Sequence, residues 1–183
     1  MMKSIKKLYW LVIFLMITSP LVAQDYAISN IPPELLEDAY AVVRLDESRF
    51  EVQSIKQGVF YKKVAYTILH KKANFLAKEV VPYNDLKQVK YLEARLYDKY
   101  GKMIKKLKKS DIKDQSAISG VSIYESSRVK IAELHHYDLP FTVEFEYETL
   151  NNNLLFYPSW YPQSYSKASV QSSKMEVIMP SGI

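Results

Sequence analysis

Residues 142–149 alternate without a break. Val143, Phe145, Tyr147 and Thr149 take turns with Glu144, Glu146 and Glu148. Period two sorts these side chains onto opposite faces of a strand, whereas a helix would mix them around its circumference. The same period recurs along most of the chain. Val59 to Lys71 reads as a long strand with Phe60, Val64, Tyr66 and Ile68 on one face, interrupted by Lys62. Lys90 to Tyr97 sets Leu92, Ala94 and Leu96 against Glu93 and Arg95. Val43, Leu45 and then Phe50, Val52 fit two strands joined at Asp46-Glu47-Ser48, with Gly58 as a turn before the next strand. Arg128–Leu134, Leu154–Tyr157 and Val170–Met179 read as further strands. Asp98-Lys99-Tyr100-Gly101-Lys102 is a tight turn with Gly101 at positive φ, after which Lys102–Lys108 pairs back through Ile104 and Leu107. Ser110 to Ser122 is polar and irregular, with one helical turn at Ser110-Asp111-Ile112.

A single stretch carries a helical pattern. Asn30-Ile31-Pro32-Pro33 leads in, Glu34, Glu37 and Asp38 suit a helix N-terminus, and Leu35, Leu36 and Ala39 supply a stripe. Many short strands, turn signals between them and one short N-terminal helix predict a mainly β protein, an antiparallel β-sandwich. The 15 tyrosines suit half-buried pleated surfaces.

Residues 1–23 read as a signal peptide. Lys3, Lys6 and Lys7 precede the uncharged apolar run Leu8–Thr18, Pro20 breaks it, and Ala23 ends it before Gln24-Asp25. Leu8–Val22 is short of the roughly 20 residues that span a bilayer. The expected product is periplasmic or extracellular and does not span a membrane once cleaved. The formal charge of +5 then changes, because removing three lysines leaves 22 basic against 20 acidic residues, about +2. That removes the electrostatic case for nucleic acid. Residues 24–183 make one domain.

The sequence contains no Cys, which excludes a cysteine nucleophile, thiolate metal sites and a disulfide framework on this chain. His135 and His136 are neighbours on a strand and face opposite ways, and His70 stands apart, so no metal set forms. Glu144, Glu146 and Glu148 are about 7 Å apart along one face, a spacing glycosidases use but also that of a solvated sheet. No phosphate loop, dinucleotide fingerprint, nucleophile elbow or zinc motif is present. No catalytic residue, metal or cofactor is expected. The candidate binding residues are Trp160, Tyr157 and Tyr161 in the rigid Pro158–Pro162 loop, Gln115 and Ser116 in the polar loop, and Lys105 and Lys106 in the run Lys102–Lys109.

Five segments in order carry a family resemblance. They are Ile31-Pro32-Pro33-Glu34-Leu35-Leu36 before Ala41-Val42-Val43-Arg44-Leu45; Tyr97-Asp98-Lys99-Tyr100-Gly101-Lys102 before Ile104-Lys105-Lys106-Leu107; Lys113-Asp114-Gln115-Ser116-Ala117; Pro140-Phe141-Thr142-Val143-Glu144-Phe145-Glu146-Tyr147; and Pro158-Ser159-Trp160-Tyr161-Pro162-Gln163. Together they resemble the DUF3857 domain, the N-terminal β-domain of exported transglutaminase-like proteins common in Bacteroidota. The resemblance implies a papain-type core with a Cys-His-Asp triad further along such proteins. The family pattern continues past Ile183, so an incomplete domain is expected here. The implied role is a non-catalytic accessory module that docks the transglutaminase-like cysteine peptidase core or positions its substrate. The alternative is a carbohydrate- or envelope-binding module using the aromatic loop with the lysine run.

Overall fold

The computed structural model describes residues 25–117, 127–155 and 157–182. The leader expected at 1–23, part of the polar loop, including Gly120, and Phe156 lie outside the described residues. Among the described residues ten strands form two sheets: β1 (Ala41–Ser54), β2 (Gln57–Ile68), β3 (Lys78–Tyr83), β4 (Lys87–Tyr97), β5 (Met103–Lys106), β6 (Lys113–Ser116), β7 (Arg128–Glu133), β8 (Phe141–Asn151), β9 (Ala168–Val170) and β10 (Ser173–Ile178). The large sheet runs β10-β1-β2-β8-β4-β5, with β9 also on β1, and the small sheet runs β3-β7-β6. The predicted mainly β, two-sheet architecture is present. Every pair is antiparallel except β9 and β10, which lie parallel to β1.

Three local expectations are corrected. Asp46-Glu47-Ser48 is no turn, because β1 passes straight through it. The Asp46 carboxylate is held at 2.8 Å by Lys62 on β2, and Ser48 is buried opposite the same lysine, so the polar triplet is satisfied within the sheet. The hairpin turn falls instead at Ile55-Lys56. Gly58 lies inside β2, where a Cβ would sit 2.7 Å from Phe50 Cζ, so its hydrogen makes room for the ring. Val170–Met179 is two strands, and the cause lies on β1. A bulge between Val43 and Leu45 puts these two residues on opposite faces, beside Tyr66 and Ala65 respectively. The break at Gln171-Ser172 faces that bulge: Gln171 N donates to Val43 O, Asp46 N donates to Ser172 O, and Gln171 Oε1 accepts from Arg44 Nε.

The short N-terminal helix is a 3-10 turn, Pro33–Leu35, with proline in its first turn. A longer 3-10 segment, Lys71–Ala77, follows β2, which ends at Ile68 rather than Lys71. The described residues of Leu154–Tyr157 form no strand. Ile104 is exposed, whereas Leu107 reaches the core as expected. Gly101 has φ +81°, and the Asp98 side chain accepts from Tyr100 N and Lys102 N to close that turn.

The core lies between the sheets. Val64, Ile68, Ala94, Leu96, Phe141, Val143 and Phe145 of the large sheet pack against Ala73, Leu76 and Ala77 of the 3-10 segment and Val81, Ala132 and Leu134. Each such large side chain contributes roughly 1.5–3 kcal/mol on burial. The opposite face of the large sheet is covered at one end by the strap 25–31. There Tyr26 is 1% exposed and packs with Leu45, Ala65 and Tyr97. Arg44 fastens the strap by donating to Tyr26 O and Asp25 O.

Candidate functional site

The strands set up the site by unequal length. β1 has 14 residues, β2 has 12, and β4 and β8 have 11, while β3 and β7 have 6 and β6 has 4. The small sheet therefore covers only part of the large one. Beyond the shared core the inner face carries Phe50, Phe60, Thr149 and Asn151, and a cavity of about 340 Å³ opens there, walled also by Leu86 and Tyr157. The Tyr157 ring meets Phe50 edge-on at 5.4 Å. Trp160 Nε1 donates to Ser173 Oγ at 3.0 Å. Phe50 pairs with Val177 and Asp46 with Ser173, so the loop from Tyr157 to Trp160 runs back along β10. Leu155, Tyr157, Trp160, Tyr161, Val177 and Met179 are all exposed in this segment, Tyr161 at 68%. These exposed apolar side chains are strung along the β10 edge of the large sheet, which makes that edge a candidate contact surface.

The remaining sequence candidates sit elsewhere. Gln115 and Ser116 lie exposed on β6 in the small sheet. Their neighbour Asp114 accepts from Tyr83 Oη, Arg128 and Lys130, which joins β3, β6 and β7 and holds its carboxyl down to about 2. Lys105 and Lys106 are on β5, at the other edge of the large sheet from β10, and Lys106 pairs with Glu93 at 2.9 Å. Five strand spacings separate those edges, about 24 Å. The aromatic loop and the lysine run thus form no common platform.

The three glutamates of β8 are not a solvated row. Glu144 is 2% exposed and accepts from Tyr26 Oη at 2.6 Å and Arg95 Nη1 at 2.7 Å, with Lys63 at 3.4 Å. Burial and the Glu144 carboxylate push the Tyr26 phenol well above its usual range. Arg95 also binds Glu146 and Glu93. Burial and Glu146 raise the Tyr91 phenol to about 12. Glu144, Glu146 and Glu93 are thus tied to cations, with Arg95 touching all three. His135 binds Glu133, the His136 ring accepts from Asp138 N, and His70 caps the 3-10 segment, three separate local roles.

Two features escaped the sequence. Glu79 lies between the sheets near Asp46, Lys62 and Tyr147, and burial lifts its carboxyl to about 7. Tyr40 gathers His70, Lys72 and Lys167 around its ring. Both sets come from distant segments, and only the alternation of Glu79 with Val81 hinted at an inward carboxylate.

The solved structure of a "putative protease" from Parabacteroides distasonis ATCC 8503 superposes with a TM-score of 0.62 at 14% identity, over 78% of this chain. The chain spans 29% of that protein's length. No curated protein matches. Residues 56–183 match the family described as a domain of unknown function with solved structure, DUF3857. With more than half of its length inside that match, the chain belongs to the DUF3857 family.

Proposed function

We propose that this chain is an exported, non-catalytic β module that docks a transglutaminase-like cysteine peptidase core or positions that core's substrate. The observation that carries the reading is the apolar corner made by Tyr157 at the cavity mouth and Trp160 on β10, continued along that edge by the exposed Tyr161, Val177 and Met179. Such a corner is stable in water only at a cost of roughly 25 cal/mol per Å², which a docked partner removes. Membership of DUF3857 and the likeness to part of a protein named as a protease support a protease-associated module. In this reading the nucleophile belongs to the partner, since this sequence contains no Cys. The signal-peptide pattern read at residues 1–23 supports export.

The test is binding between this chain and a transglutaminase-like cysteine peptidase core. Trp160→Ala with Tyr161→Ala is expected to weaken calorimetric binding at least tenfold, because aromatic anchors dominate such contacts. Unchanged affinity would remove the role of the corner.

A further inference from the structure

A second recess lies where the Lys71–Ala77 segment meets the stretch leading into β9. It has a volume of about 410 Å³ and is walled by Tyr40, Lys72, Phe75, Tyr165 and Lys167. Two ammonium groups converge on one ring: Lys72 Nζ is 5.3 Å and Lys167 Nζ 5.9 Å from the Tyr40 centroid. Neither lysine has a carboxylate partner among the described residues. His70 stacks on the same Tyr40 ring at 4.9 Å. Its Nδ1 accepts the Lys72 backbone N–H, which makes Nε2 a further donor. The acids whose charge reaches Tyr165 are Glu79 and Asp46. Asp46 is already neutralised by Lys62. The recess therefore presents two lysines that no carboxylate pairs with directly among the described residues.

Its other wall is aromatic. Phe75 and Tyr165 meet edge-on at 5.3 Å and stay 58% and 38% exposed. An apolar ring face beside two lysine cations fits a ligand that is itself a ring with a carboxylate. We propose that this recess binds an acidic saccharide of the uronic acid class, its carboxylate between Lys72 and Lys167 and its ring on Phe75 and Tyr165. An acidic peptide meets the charge but gains nothing specific from the exposed aromatic pair. The recess lies beside Ala41 and the first cavity beside Phe50, and the aromatic loop runs between them, with Ser164 of the recess donating to Tyr161 O at 3.3 Å.

The test is titration of the chain with tri-galacturonic acid, followed by NMR, with maltotriose and a poly-Glu peptide as controls. Binding by tri-galacturonic acid alone is expected, weakened at least tenfold in the exposed-site variant Lys72→Gln with Lys167→Gln and also in Phe75→Ala. Equal binding by maltotriose would overturn the role of charge. Equal binding by poly-Glu, or indifference to Phe75→Ala, would overturn the saccharide. Absence of binding by all three would overturn the site.

Discussion

Glu144→Gln probes the fastening of the strap. The carboxylate is almost fully buried and shared by Tyr26, Arg95 and Lys63. The amide keeps the shape and removes the charge. Its NH₂ must then face either Tyr26 Oη or a cation, so at least one charge-assisted bond is lost. Breaking a fully buried pair costs about 3–5 kcal/mol. Here Arg95 keeps Glu93 and Glu146, and it is 23% exposed, so the expected loss is smaller, about 2–3 kcal/mol. In a domain of this size that lowers Tm by roughly 4–10 °C. Urea unfolding followed by circular dichroism measures it. Tyr26→Phe removes one hydrogen bond, and the double variant should lose about 1 kcal/mol less than the sum of the two, because they share a partner. A loss under about 0.5 kcal/mol for Glu144→Gln, or strict additivity, would show that the buried carboxylate does not hold the strap.

Other outcomes follow from the same structure. Gly101→Ala combines φ +81° with a Cβ 2.7 Å from Ala27 N, and should lower stability by about 1–3 kcal/mol in urea while freeing the strap to hydrogen exchange. Gly58→Ala pushes the Phe50 ring toward the cavity, and should cost about 1–3 kcal/mol, read as a lower Tm. Glu79 has its carboxyl raised from 4.5 to about 7 by burial, so the folded state keeps a proton that the unfolded chain loses. The Glu79 contribution to stability is thus fully present below about pH 4.5 and is lost as pH rises through about 7, by up to about 3 kcal/mol, a component of the pH profile that Glu79→Gln should remove.

Strand identity was legible wherever one face meets the core, as in β8 and β4, because burial there imposes strict alternation on the sequence. It failed at Asp46-Glu47-Ser48, where residues typical of turns sit in mid-strand. Their partner Lys62 belongs to another segment, and a local reading sees only the polar triplet. The split of β9 from β10 was invisible for the same reason, since its cause is a bulge in β1 more than 100 residues earlier. Of the candidate residues, the aromatic loop was legible from its prolines and rings. That Lys105 and Lys106 lie on the far edge required the strand order, which pairing fixes and composition does not. The buried role of Glu144 was likewise hidden, because Tyr26 lies 118 residues away and covers a face that alternation marks as wet.

Trp160 offers the most direct test of the docking role. With residues 1–23 removed it is the only tryptophan, so isotope-labelled module gives a single indole N–H signal. On adding the unlabelled transglutaminase-like core, the account predicts that this signal shifts and that amides of Val177 and Met179 become protected from exchange. An unmoved indole signal with unchanged exchange at Val177 and Met179, in a core that still binds, would contradict it.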